Sequence, residues 1–268
     1  MRSLGLGLGF NRHRILGDGV VPLLDTYTGA SVAYSLRNLS SSTTNVVRVR
    51  RSSNDDEQDF TASEVSGGAL TTFVGAGNDG FVTTWYDQSG NNNNATQTSA
   101  SQQPKIVDSG SLILDNGKPI IQNLSAAGLQ VDAALTNTSP VTQFSVAKIE
   151  GTRGIFSTYR TTGDRFVLAA ESGSTNTSVF SDTPTSIFQD GSSYTVTNRG
   201  TLYNDSTSQS LFTIYWSSPN YQEFDKIGFT SGFWQMWSTQ ELIIYNSDQT
   251  SNRAAIEDNI NSYYSIYT

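Results

Sequence analysis

The chain contains no cysteine and a single histidine, and only 15 % of its 268 residues are charged. A typical soluble domain carries roughly 25 % charged residues. The missing cysteines exclude a disulfide framework, a thiolate nucleophile and any zinc site built on sulfur. One histidine, His13, excludes histidine-rich metal centres and leaves a Ser-His-Asp triad possible only through that residue. The 16 Lys and Arg are scattered and outnumbered by 24 Asp and Glu, giving a formal net charge of -8. Nucleic-acid partners, which need a clustered basic face, are not expected. No apolar run approaches the roughly 18 residues of a membrane-spanning helix, so membrane insertion is not expected either.

What is present is neutral polarity: Ser, Thr, Asn and Gln throughout, with 23 Gly. Hydrophobic residues make up 36 % and aromatics 11 %, enough for a sizeable core in which Tyr and Phe take a large share. Residues 1–24 read as an extended docking arm. Its Gly-alternating stretch, Gly5 to Gly9, lacks the strand and helix that a phosphate-binding glycine loop requires. The apolar part is too short and too interrupted for a secretory signal, and Asn11-Arg12-His13-Arg14 follows it. Leu4, Leu6, Leu8, Phe10, Arg12 and Arg14 are the candidate partner-docking side chains.

From residue 25 onward there is no composition break and no repeat, so residues 25–268 read as one domain. Ala30 to Leu39 has Val32, Leu36 and Leu39 at helical spacing. Val46 to Arg51 alternates at period two, as a half-buried strand does. Short β-prone runs then recur between Gly, Asn, Asp and Ser clusters: residues 80–86, 144–149, 165–169, 193–196, 211–216 and 241–245. Two further strand starts appear at Gln103–Val107 and Asn116–Ile121. Many short strands with few helices predict an all-β sandwich. The tail differs: Ser247 and Asp248 can cap a helix with Ile256, Ile260, Tyr263, Tyr264 and Tyr267 on one face, Glu257 and Asp258 on the other.

The most distinctive segment runs from Trp85 through Tyr86-Asp87-Gln88-Ser89-Gly90-Asn91 to Asn94. Trp85 and Tyr86 end a strand; the following Asp and Asn side chains can close a turn on their own backbone, with Gly90 supplying positive φ. Taken with Ala33–Arg37, Val47–Ser53, Gln240–Gln249 and Asn259–Tyr264, this segment resembles the concanavalin A-like (laminin-G-like) sandwich domains of phage structural proteins. The resemblance covers nearly everything beyond residue 25. It implies a jelly-roll β-sandwich with a C-terminal helix and an extended N-terminal arm. It further implies a virion protein (capsid decoration, tail or fibre), assembled in the host cytoplasm and carried on the particle's exterior. Such a protein would bind other virion proteins through the arm, form a homo-oligomer, and present a lectin-like surface to host glycans.

The same residues are also similar to the catalytic sandwich of arabinofuranosidase B-type glycoside hydrolases. That resemblance points to Glu171, in Phe166–Ser172, as the nucleophile of a retaining glycosidase, which needs a second carboxylate about 5–5.5 Å away. The partner Asp is expected in a loop before Phe233, yet Lys226–Phe233 carries no carboxylate, and Glu223 and Asp225 lie just ahead of it, out of register. A missing acid costs about 10²–10⁴ in rate, and the disulfides of those enzymes are absent too. The expectation from sequence is therefore a chain that is not an enzyme.

Two further constellations bear on ligands. Asp55, Asp56 and Asp59, with Glu57, follow the basic strand Arg48–Arg51. Hard oxygen ligands so close together could hold calcium; alternatively they form a solvated loop that offsets Arg48, Arg50 and Arg51. In the last third, Trp216, Tyr221, Trp234 and Trp237 are candidate sugar-stacking aromatics. Strand alternation puts Phe233, Gln235 and Trp237 on one face and Trp234 and Met236 on the other, so one set belongs to the core.

Overall fold

Alternating apolar and polar residues build most of this molecule, and a computed structural model shows how the strands assemble. It describes residues 21–123, 127–136, 140–156, 168–180, 182–219, 223–227 and 237–268. The arm residues Leu4, Leu6, Leu8, Phe10, Arg12, His13 and Arg14, and the aromatics Tyr221 and Trp234, lie outside the described residues.

In chain order, helix α1 (Leu23–Thr26) precedes strands β1 (Ala30–Ser35), β2 (Val47–Arg51) and β3 (Glu57–Phe60). Helices α2 (Ala62–Ser66) and α3 (Ala69–Val74) lead to β4 (Gly80–Trp85), β5 (Ala95–Thr96) and β6 (Lys105–Asp108). Three two-residue strands follow: β7 (Ser111–Leu112), β8 (Leu114–Asp115) and β9 (Lys118–Pro119). Then come β10 (Leu129–Thr136), β11 (Val141–Ile149), β12 (Arg153–Phe156) and β13 (Leu168–Glu171). The chain closes with β14 (Ser186–Gln189), β15 (Ser192–Ser193), α4 (Arg199–Asp205), β16 (Ser210–Trp216), β17 (Glu223–Ile227), β18 (Trp237–Tyr245) and α5 (Arg253–Tyr264).

One sheet has six strands in the order β1-β18-β11-β16-β14-β15. The other has eight, ordered β17-β10-β5-β4-β2-β3, with β6 on β4 and β7 on β6. Their pairings are antiparallel. Val32, Tyr34, Leu242, Ile244 and Phe212 of the first sheet share one core with Val47, Val49, Val82, Trp85 and Val131 of the second. The fold is thus an all-β sandwich, as the strand pattern indicates. The opposite face of the six-stranded sheet, with Ala33, Phe144, Val146, Ile243 and Tyr245, is covered by Ile256, Ile260 and Tyr264 of α5 and by Leu23 and Leu24 of α1. All nine residues of β18 are consequently buried, because both of its faces are covered. Among the described residues no helix is long and apolar enough to cross a membrane.

Several local expectations are corrected. Residues 30–35 form a strand, not a helix: β1 pairs with β18 from Ala30↔Tyr245 to Ser35↔Glu241, and that pairing outweighs the helical spacing of Val32, Leu36 and Leu39. Of the run at 193–196 only Ser193 is strand, as the second residue of β15. The last helix begins after Asn252, while Asp248 instead accepts from Thr250 N at 2.8 Å. Glu257, read as solvent-facing, is only 2 % exposed and pairs with Arg253 one turn earlier. Asn116 and Gly117 do more than precede a strand. Both have positive φ, 46° and 71°, and they turn β8 into β9, where an Asn-Gly pair suits a type I′ hairpin.

Candidate functional site

Glu171 ends β13, which pairs with β12 in a small hairpin of its own, Arg153 opposite Glu171 and Gly154 opposite Ala170. The cross-strand register delivers the arginine. Its Nε donates to Glu171 Oε1 at 2.9 Å and its Nη2 reaches the same oxygen. A second guanidinium, that of Arg199 at the start of α4, lies 3.9 Å from Oε2. The Arg153 hydrogen bonds, with smaller help from Ser174 and Arg199 and against partial desolvation, hold the Glu171 carboxyl below the usual glutamate range. The group is therefore ionised at neutral pH, yet its side chain is 23 % exposed and reachable.

The surroundings are rigidly tied. Gly173 turns the chain after β13 with φ 68°, and Ser172 N donates to Thr152 O at 2.8 Å. Arg199 N and Gly200 N donate to Asn176 O and Ser174 O, each at 2.9 Å, and Arg199 Nε donates to Ser178 O at 2.8 Å. A Cβ on Gly200 would sit 2.5 Å from Ser174 O, so only glycine lets α4 approach this closely. Asn198 caps α4 by accepting from Thr201 N at 2.8 Å. Neither arginine stands out in the sequence: Arg153 meets Glu171 only through strand register, Arg199 only through the return of α4.

Beneath the hairpin lies Trp237, 1 % exposed. A Cβ on Gly154 would come within 2.5 Å of its ring, and the ring also meets Phe212 edge-on at 6.2 Å. Trp216 is 8 % exposed, with Nε1 donating to Asp182 O at 3.1 Å. The sugar-stacking expectation is corrected for both: their rings are core packing, because the sheet's apolar face turns inward at these positions. Asp225 is buried on β17, at the edge of the eight-stranded sheet. Residues 157–167, between β12 and β13, and 228–236, just before Trp237, lie outside the described residues.

The acidic loop separates into individual ion pairs. Arg48 takes both oxygens of Asp59, at 2.7 and 2.9 Å, and Tyr86 donates to the same carboxylate at 2.7 Å. Arg50 pairs with Asp55 at 2.6 Å and Arg51 with Asp56. The three aspartates thus face three arginines rather than one another, which is the charge-offsetting arrangement. No group of three or more His, Cys, Asp or Glu among the described residues converges to hold a metal ion.

No protein-family model matches the chain, and no curated protein matches its sequence. Solved structures do share its fold. An arabinofuranosidase complexed with arabinofuranosyl-α-1,2-xylobiose superposes with a TM-score of 0.57 at 14 % identity, over 89 % of this chain and 64 % of that one. A mutant GH54 α-L-arabinofuranosidase soaked with 4-nitrophenyl α-L-arabinofuranoside gives the same values. A GH54 α-L-arabinofuranosidase soaked with a cyclic sulfate inhibitor gives 0.57 at 15 %. The chain spans 64 % of the length of these enzymes. The phage structural resemblance gains nothing from them. They also correct the expectation of a chain that is not an enzyme, since its structural neighbours are glycosidases. At this identity the likeness establishes the fold: this chain is similar to the sandwich of GH54 arabinofuranosidases.

Proposed function

We propose that the chain is a glycoside hydrolase of the arabinofuranosidase type, with Glu171 as the carboxylate that acts at the anomeric carbon. The observation that carries this reading is the state of Glu171: ionised, reachable and held by Arg153, within a sandwich shared with glycosidases. A nucleophilic carboxylate must be deprotonated and must not wander. Arg153 meets both demands by binding Oε1. Oε2 is left to approach the sugar, with Arg199 3.9 Å away to steady the charge on that oxygen. Hydrolysis also needs a proton donor for the departing oxygen; Asp225 and Glu223, the carboxylates nearest the expected position in sequence, are the residues to test in that role.

The test is release of nitrophenol from 4-nitrophenyl α-L-arabinofuranoside. The native chain should release it, and Glu171→Gln, checked for unchanged circular dichroism, should lower the rate at least about 10²-fold. Full activity in Glu171→Gln removes Glu171 from the mechanism. No release by the native chain on this substrate or on arabinose-decorated xylo-oligosaccharides removes the hydrolase reading.

A further inference from the structure

The Tyr-Asp-Gln-Ser-Gly-Asn segment has no part in the site around Glu171, yet its side chains are densely hydrogen-bonded. It lies along β1, the outer strand of the six-stranded sheet. β18 pairs with one side of β1 only. On the other side, Asp87 Oδ1 accepts from Ala33 N at 2.9 Å, and Gln88 N donates to Ala33 O at 2.8 Å. Gln88 Nε2 donates to Ser35 O at 2.9 Å. Asn91 Nδ2 donates to Ala30 O and Ser31 O, both at 3.0 Å, and Asn93 Nδ2 donates to Ser31 O at 3.3 Å. Ser31 O, Ala33 N, Ala33 O and Ser35 O are the alternating groups that a neighbouring strand would use. Here side chains and one loop amide take its place.

The loop is itself locked. Asp87 accepts from Ser89 N at 2.9 Å, Ser89 Oγ at 2.8 Å and Asn93 N at 3.0 Å. With the Ala33 bond, its carboxylate is filled by donors. Gln88, 5 % exposed, also accepts from Leu39 N at 2.7 Å.

The other sheet edges explain why this one needs covering. Exposed edges are commonly protected by charge or by brevity. Edge strand β17 carries Lys226, and β3 carries Glu57 and Asp59. The far edge of the six-stranded sheet is β15, two residues long. β1 reads Ala-Ser-Val-Ala-Tyr-Ser, six residues without charge or proline, and nothing in the strand itself resists pairing.

We propose that the Asp87–Asn93 loop is a side-chain plug that closes the β1 edge, and that without it β1 pairs antiparallel with β1 of a second copy of this chain. The pairing is self-complementary, so it closes as a two-fold dimer. The inference is independent of the hydrolase reading. Two variants test it: Asn91→Ala/Asn93→Ala, which removes the amide caps on Ala30 and Ser31, leaving only Ser89 Oγ on Ser31 O at 3.4 Å, and spares Asp87; and Asp87→Ala. Molar mass by light scattering across a concentration series should show dimers in both that the native chain lacks. Amide exchange at Ala33 should be about tenfold faster in dilute Asp87→Ala and slow again as the dimer forms. Should Asp87→Ala fail to fold, the asparagine pair decides by mass alone. Native mass in the folded variants overturns the plug, and association that leaves Ala33 exchange independent of concentration overturns the β1 pairing.

Discussion

Arg153 and Glu171 stand directly opposite each other across β12 and β13, and two guanidinium nitrogens converge on one glutamate oxygen. The pair lowers the Glu171 pKa below its ordinary value. A depressed carboxylate pKa contributes stability that is complete above the unfolded value, near 4.3, and is lost as pH falls through the folded value. Arg153→Met should therefore lower the melting temperature at neutral pH, by a loss of about 0–1 kcal/mol because the arginine is well exposed. The gap to the native chain should close as the pH drops below about 4. A gap unchanged in acid would show that the arginine stabilises by packing alone.

The Trp237 ring leaves no room above it. Gly154→Ala places a methyl group 2.5 Å from that ring and 2.9 Å from Ile149. Overpacking of this kind costs about 1–3 kcal/mol, visible as a lower urea midpoint with an unchanged slope. Wild-type stability in Gly154→Ala would mean that the hairpin shifts freely on the sheet.

Helix α5 is fastened by a buried ion pair. Arg37 Nε and Nη2 donate to the two oxygens of Glu241 at 2.8 and 3.0 Å, Nη1 donates to Asn259 at 3.0 Å, and the guanidinium lies over Tyr263. Ser35 Oγ and Tyr264 OH add hydrogen bonds to Glu241. Arg37→Met leaves that carboxylate buried and unpaired, a loss of about 3–5 kcal/mol. Arg37→Met/Glu241→Leu should recover most of it in a denaturant titration. A double variant no better than the single one would place the cost in lost arginine packing instead.

Calcium should leave the melting temperature unchanged at millimolar concentration, because Asp55, Asp56 and Asp59 each face an arginine. Asp59→Asn should cost about 0–1 kcal/mol, as partly exposed pairs do. A melting temperature that climbs with calcium concentration, as binding to the folded state requires, would restore the loop as a metal site.

Much of the fold is legible in the amino-acid sequence. Periodicity located the cores of β2, β4, β11, β16 and β18, and the Asp-Gln-Ser-Gly-Asn run announced a turn that the structure places at Asp87–Asn94. The candidate site was legible only as a carboxylate. Glu171 carries no local sign of Arg153, eighteen positions earlier, or of Arg199, because the contacts arise from strand register and from the return of α4.

The sequence by itself determined the class of the molecule. Alternating apolar residues can only be buried by pairing sheets, and Gly, Asn and Asp between them make the turns. Tertiary structure alone decided the cases where two local readings were equally good. Val32, Leu36 and Leu39 suit a helix, but β18 offered residues 30–35 a ladder of backbone hydrogen bonds and a two-sided core. Trp237 suits a sugar platform or a core, and the approach of Gly154 settled it as core. Short-range pattern specifies which residues want burial and which can turn. Which partner satisfies each buried or charged group depends on segments far apart in the chain, and only the packed sandwich brings them together.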